Sequence, residues 1–269
     1  MNFLSFTPKL KIPGRNIIEG IIEWIGSICS MIYFSTPLLQ IVQIYHKTIS
    51  PEALPVTLLL SILFNCTFWL LHGVTESINN HKFWASLIIC NGFGLLINIV
   101  LLFLFLYFFF EKNVKKFVGY GLFVINLIFE VVYLMLFWVI KKQKDHANLV
   151  GTIATIVNIC MYLSPITNII KVCKTGKYEF IPILTNIVGF FTTLIWLIYG
   201  TLTQDDSNPS AKYTLYSNGF SVLVVAIQIS FWLYYFAKSN QNVIKNENDD
   251  SLENNNNYKD ILNNDNNDN

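Results

Sequence analysis

Long apolar runs separated by short polar gaps dominate the chain. Seven runs are long enough to cross a bilayer, at roughly 18–45, 54–75, 83–110, 117–140, 148–172, 180–202 and 213–237. Crossing about 30 Å of hydrocarbon takes about 20 residues of helix. Backbone in lipid must satisfy its own hydrogen bonds, so the pattern predicts helices and not scattered strands. The expected fold class is an all-α membrane protein with almost no chain left for a soluble domain. After Ala237 the pattern stops. From Ser239 to Asn269 the chain is mostly Asn, Asp and Glu, and a disordered tail is expected there. At the other end Lys9, Lys11 and Arg15 precede the first run. That run is too long for a signal-peptide core and lacks a small-residue cleavage site, so it reads as the first span.

The marked residues within the runs occur twice. Pro37, Pro55, Trp69, Gly73 and Asn91-Gly92-Phe93 return as Pro165, Pro182, Trp196, Gly200 and Asn218-Gly219-Phe220. The first prolines lie 128 positions apart and the later pairs 127, so one residue is inserted near 49–51. Such a period means a duplicated structural unit. The repeat covers spans 1–3 and 5–7 and leaves span 4 outside. Three crossings end on the opposite side from where they began. One extra crossing lets both copies sit the same way up, which implies a pseudo-twofold axis along the membrane normal. The expected organisation is an N-terminal segment (1–17), a first three-helix repeat (18–110), a linker helix (117–140), a second repeat (148–237) and the tail (238–269).

Composition narrows the function. Net charge is only +1, so no nucleic acid or acidic surface is expected as a partner. Cys29, Cys66, Cys90, Cys160 and Cys173 lie in or at the ends of apolar runs with no C-x-x-C pair, so no disulfide framework or metal is expected. No nucleophile constellation or phosphate loop is visible, which argues against an enzyme and against a cofactor. Lys47, Lys112, Lys115, Lys116, Lys171, Lys174, Lys177 and Lys238 fall on one side of the membrane. Arg15, Lys82, Lys141, Lys142, Lys144 and Lys212 fall on the other. The slight excess favours an external N-terminus and a cytosolic tail.

Several polar or bulky residues are candidates for a transport pathway. Pro37, Pro55, Pro165 and Pro182 would bend or break their helices at one depth, as a hinge or gate does. Trp69 and Trp196 suit an interfacial anchor or two walls of one cavity; their register favours the cavity. Asn91 and Asn218 each offer a donor and an acceptor, which matches adjacent hydroxyls of a sugar. The alternative is an interhelical hydrogen bond, the reading given to Asn65, Asn98, Asn126, Asn158 and Asn186. Glu130 lies near the middle of span 4 and reads as a protonated or hydrogen-bonded packing residue, with proton coupling as the other role. His72 and Asp205 could meet across the external mouth as a gate, or His72 is a solvated loop residue.

As an ordered set these residues resemble the SWEET family of sugar transporters from about residue 20 to 237. The resemblance is carried by Ser35-Thr-Pro37, Glu52-x-x-Pro55, Asn65-Cys66 before Trp69-x-x-His72-Gly73, and Asn91-Gly92. In the second half it is carried by Met161-Tyr-Leu-Ser-Pro165, Glu179-x-x-Pro182, Trp196-x-x-Tyr199-Gly200, Asn218-Gly219 and Gln228. Parallel repeats are already known for that family. The resemblance implies facilitated, bidirectional diffusion of mono- or disaccharides by alternating access without an ion gradient. It implies sugar binding by Asn91, Asn218, Trp196 and Trp69, a proline tetrad at Pro37, Pro55, Pro165 and Pro182, and an external gate at His72 and Asp205. Two bulky walls imply a hexose such as glucose. The expected partners are a sugar and membrane lipid, with room for a homo-oligomer, in the plasma membrane or an endomembrane such as the Golgi. An organellar amino-acid carrier of the PQ-loop type fits less well, because Leu38 and Ile166 follow the kink prolines where Gln is usual. A seven-span receptor has no use for the duplication.

Overall fold

The structure is a computed structural model that describes residues 15–49, 54, 56–80, 84–108, 112–204 and 211–265. Pro55 and Asp205 fall outside the described residues. Eight α-helices follow one another: α1 (Arg15–Tyr45), α2 (Val56–Asn80), α3 (Ala85–Phe108), α4 (Lys112–Leu134), α5 (Gln143–Leu163), α6 (Ile166–Thr175), α7 (Ile183–Thr203) and α8 (Ala211–Asp265). A π-helical turn (Met135–Val139) extends α4, and a 3₁₀ turn (Tyr178–Phe180) precedes α7. No strand occurs among the described residues. Seven stretches are long and apolar enough to cross a membrane, the fifth being α5 and α6 together. The fold is therefore the all-α, seven-span architecture expected from the hydrophobic pattern.

Six helices close a ring. Neighbours run α1, α7, α8, α5, α2, α3 and back to α1. Within each repeat the third helix lies between the other two, α3 between α1 and α2 and α8 between α5 and α7. The repeats meet through α1 on α7 and α2 on α5. The linker α4 stands outside the ring against α2, where the Leu60 side chain fills the space over Gly121.

Buried apolar clusters hold the ring together. One joins Tyr33, Phe34, Leu58, Ile62, Cys66, Met161, Tyr162 and Val225 from both repeats. Another joins Phe68 and Trp69 to Val150, Ala154, Val157 and Tyr213. Most buried hydroxyls bond carbonyls of their own helix, as Ser30 Oγ does to Gly26 (2.9 Å) and Thr193 Oγ1 to Gly189 (3.0 Å). Polar side chains thus enter the interior without an unpaired hydroxyl.

Helix α8 runs on past the seventh span to Asp265, and no Pro or Gly interrupts residues 239–265.

Candidate functional site

Each of the two kink prolines deletes an N–H from its helix. The carbonyl four residues earlier then lacks its regular partner. For Pro37 that carbonyl belongs to Tyr33, and Thr36 Oγ1 donates to it at 2.8 Å. For Pro165 it belongs to Met161, and Ser164 Oγ donates to it at 2.7 Å. The carbonyls one residue on are also bonded, from the third helix of each repeat. Asn98 Nδ2 reaches the Phe34 carbonyl at 3.3 Å, and Gln228 Nε2 reaches that of Tyr162 at 2.7 Å. The outcomes still differ. Helix α1 runs through Pro37, whereas Pro165 separates α5 from α6 and Pro182 caps the start of α7. Pro37, Pro165 and Pro182 are buried.

The kinks form a floor beneath the ring's centre. Tyr33 and Tyr162 stack with centroids 5.4 Å apart. Thr185 Oγ1 on α7 donates to Thr36 Oγ1 on α1 at 3.0 Å, and Thr57 Oγ1 on α2 approaches the Ser164 carbonyl at 3.5 Å. Each contact joins one repeat to the other.

Above this floor lies a cavity whose empty space, counted out through its open mouth, is about 480 Å³. Every ring helix contributes to its wall, and most of the contributions come in repeat-related pairs: Ser30 with Asn158, Phe34 with Tyr162, Asn65 with Thr192, Leu87 with Thr214, Trp69 with Trp196 and Asn91 with Asn218. The structure therefore places Asn91, Asn218, Trp69 and Trp196 around one space. No charged side chain lines it among the described residues.

The two asparagines are held alike. Asn91 Nδ2 donates to the Leu87 carbonyl and Asn218 Nδ2 to that of Thr214, both at 2.9 Å. These bonds fix the amide planes and engage only the nitrogens. The amide oxygens remain as acceptors at the cavity wall. Trp196 is fixed in another way. Its Nε1 donates to Ser30 Oγ at 2.8 Å, and its ring lies over Gly26, where an added Cβ would be 3.0 Å from Cε2. The side chain that orients Trp196 thus belongs to the other repeat. Asn65 and Asn158, expected as interhelical bonds, both line the cavity. Asn158 also bonds Ser221 Oγ at 3.4 Å, whereas the buried Asn65 Oδ1 has no partner among the described residues.

The far end of the ring from the prolines is closed by unlike side chains at equivalent positions. His72 is 3% exposed, which removes the solvated-loop reading. Its ring meets Trp69 and Tyr213 edge-on, each at 5.6 Å, and lies beside Gly151 of α5, while its Nδ1 has no hydrogen-bond partner among the described residues. Tyr213 in turn donates to Asn148 Oδ1 at 3.1 Å. In the other copy Tyr199 meets Trp196 at 5.4 Å, and its hydroxyl lies against the Glu23 carboxylate, which also accepts from Ser86 Oγ. Glu23 occupies the repeat position of Gly151, the residue against which His72 packs. Sequence reasoning missed Glu23, Tyr213 and the Tyr33–Tyr162 pair. The offset of 128 and a carboxylate inside the first span were the available signals. Glu130 is exposed on α4, away from the cavity, which corrects its reading as a packing residue.

A six-helix ring around an uncharged, hydroxyl- and amide-lined cavity, closed differently at each end, defines a membrane transporter for a small polar solute. Residues 20–113 and 148–240 match the family described as "Sugar efflux transporter for intercellular exchange", and the chain belongs to that family. Its members are transporters, not enzymes. Among curated proteins, the chain is 28% identical to the bidirectional sugar transporter SWEET8 of Arabidopsis thaliana, covering 85% of this chain and 92% of that one. It is 24% identical to Arabidopsis SWEET7 over 87% and 86%, and 26% identical to SWEET7b of Oryza sativa subsp. indica over 86% and 83%. A solved eukaryotic SWEET transporter superposes with a TM-score of 0.61 at 19% identity, covering 82% of this chain and 99% of that one, which shows the shared fold.

Proposed function

We propose that this sugar transporter is a uniporter for monosaccharides, with a hexose such as glucose as its substrate. The observation that carries the reading is the matched pair of amide oxygens, Asn91 and Asn218, on a wall shared with Trp69 and Trp196. Sugar hydroxyls donate to the amide oxygens, and the apolar face of the ring lies on indole. The floor rings Tyr33 and Tyr162 narrow the space and favour one sugar ring over two. The uncharged wall supports diffusion down the sugar gradient, because no charged side chain among the described residues stands beside the sugar in the cavity to carry a coupled ion.

Transport follows from the unequal ends. Opening towards the proline side breaks the Tyr33–Tyr162 stack and the Thr36–Thr185 and Thr57–Ser164 contacts. Opening towards the other side separates His72 from Tyr213 and α5, and Tyr199 from Glu23. The hinges are Pro37, within the continuous α1, and Pro165, at the break between α5 and α6, with Pro182 and Pro55 at the starts of their partner spans. His72 belongs to the outer closure; Asp205, its proposed partner, lies outside the described residues.

The lysine distribution supports an external N-terminus and a cytosolic C-terminus, and the plasma membrane is the proposed location. Asn126 and Glu130 support self-association. Both are exposed on α4 one turn apart, about midway between Lys116 and Lys141. Polar groups at that depth are stabilised by a protein partner, and a second copy of α4 supplies complementary amide and carboxyl groups.

The test is labelled glucose uptake into proteoliposomes. Saturable flux that ignores an imposed proton gradient is expected. Accumulation driven by that gradient would instead favour the PQ-loop type of carrier.

A further inference from the structure

The linker helix packs mainly on α2, and a cleft opens between it and α3. One wall is Phe103, Leu106 and Tyr107 of α3, and the other is Lys115, Val118, Gly119 and Leu122 of α4. The Phe103 and Tyr107 rings stack 6.4 Å apart along their wall. Gly119 has no heavy atom within 4 Å of where a Cβ would sit, so the wall of α4 recedes there. The cleft is open on one side, spans about 1130 Å³ counted out into that opening, and runs about 10 Å down the helix from Lys115 to Leu122.

Its two ends differ in chemistry. The deep end is wholly apolar. The rim carries Lys115, and the exposed Lys112 and Lys116 flank it at helical spacing on the same side of the start of α4. Glu111 precedes them, so residues 111–116 carry a net charge of +2. The first turn of a helix also presents N–H groups without intrahelical partners and the positive end of its dipole. A ligand complementary to both ends has an acyl chain and a phosphate headgroup of net negative charge.

We infer that the cleft between α3 and α4 binds one anionic phospholipid, with a fatty-acyl chain along Phe103, Tyr107, Gly119 and Leu122 and the headgroup on Lys112, Lys115 and Lys116. Zwitterionic lipid fills the same cleft but gains little from the rim, because its headgroup amine opposes the lysines. Basic pockets between membrane helices recognise acidic headgroups in this way. The site is remote from the sugar cavity and needs no change there.

The test is native mass spectrometry of the full chain in detergent, titrated with phosphatidylserine or with phosphatidylcholine of the same acyl chains. The wild type is expected to keep a single phosphatidylserine adduct and to lose phosphatidylcholine. Lys115→Gln with Lys116→Gln should weaken phosphatidylserine retention by tenfold or more, given roughly fivefold for each lysine near a charged surface. Gly119→Trp, which fills the cleft, should abolish retention of phosphatidylserine. Glucose flux in phosphatidylcholine vesicles should match wild type for all these variants. Equal retention of the two lipids by the wild type, or undiminished phosphatidylserine binding by the lysine variant, overturns the inference. The lysine side chains lie on the surface, so that variant folds whether or not Gly119→Trp does.

Discussion

Tyr33 and Tyr162 stack across the pseudo-twofold axis, 5.4 Å apart at an interplanar angle of 29°, although they are not equivalent positions of the repeat. Tyr33 corresponds to Met161 and Tyr162 to Phe34. The floor of the cavity is therefore built off the symmetry that governs its walls. An aromatic pair contributes about 0.5–1.5 kcal/mol beyond burial, and here both rings also bound the space from below. Tyr33→Leu should lower the floor and weaken the closure beneath it. The ratio of sucrose to glucose uptake should rise several-fold over wild type. An unchanged ratio means that another residue sets the size limit.

Two glycines two residues apart provide an internal control. A Cβ on Gly94 would lie 2.5 Å from both Phe34 Cδ2 and Cys66 Sγ, whereas one on Gly92 would meet nothing within 4 Å. Phe34 lines the cavity, so Gly94→Ala displaces its ring. Overpacking costs about 1–3 kcal/mol. Glucose flux should fall tenfold or more in Gly94→Ala and stay within about twofold of wild type in Gly92→Ala. Equal flux in the two variants removes Phe34 from any role in shaping the site.

The asparagines should fail alike. Asn91→Ala and Asn218→Ala each remove one acceptor from the sugar and one side-chain bond to a carbonyl of a helix that already has its backbone bonds, and Asn218→Ala also removes a bond to Ser217 Oγ. A neutral hydrogen bond contributes about 1 kcal/mol net, and an unpaired sugar hydroxyl left in the cavity costs about 1–3 kcal/mol more. Flux should therefore drop by at least about tenfold in each variant, with unchanged elution on gel filtration. Transport at wild-type rate in both variants would mean that sugar is bound elsewhere.

How much of this was legible beforehand depends on distance along the chain. The seven spans, the duplication and the odd helix follow from apolar periodicity and a fixed offset, both local or nearly so. The four wall residues were legible because Trp and Asn are scarce and recur in register. The cross-repeat contacts were not. Nothing in a helix sequence says that Ser30 meets Trp196, 166 positions away, because that pairing depends on which helices neighbour each other in the ring. The order with α3 between α1 and α2 is likewise a packing outcome. Asn65 was read as an interhelical bond because an amide in lipid needs a partner, and a cavity serves that need equally well.

The hydroxyls before the kink prolines carry a prediction about the hinges. Thr36 and Ser164 occupy equivalent positions, and each donates to the carbonyl left without its regular partner by the following proline, at 2.8 and 2.7 Å. Their surroundings differ. The Met161 carbonyl also accepts from the Ser164 backbone N–H at 3.2 Å, because the helix tightens there before it breaks. Thr36 Oγ1, by contrast, also accepts from Thr185 Oγ1 on the other repeat. Ser164→Ala therefore removes one of two donors and leaves the carbonyl bonded, at a cost of about 0.5–1.5 kcal/mol. Thr36→Val removes the hydroxyl from the Tyr33 carbonyl and strands the Thr185 hydroxyl in a buried site, which adds a desolvation penalty of about 1–3 kcal/mol. Thermal unfolding in detergent should show the larger loss in Thr36→Val, and sugar exchange should change more in it, because the lost Thr36–Thr185 contact belongs to the proline-side closure. Equal destabilisation by the two substitutions would show that the hinges are energetically symmetric despite their different helix geometry.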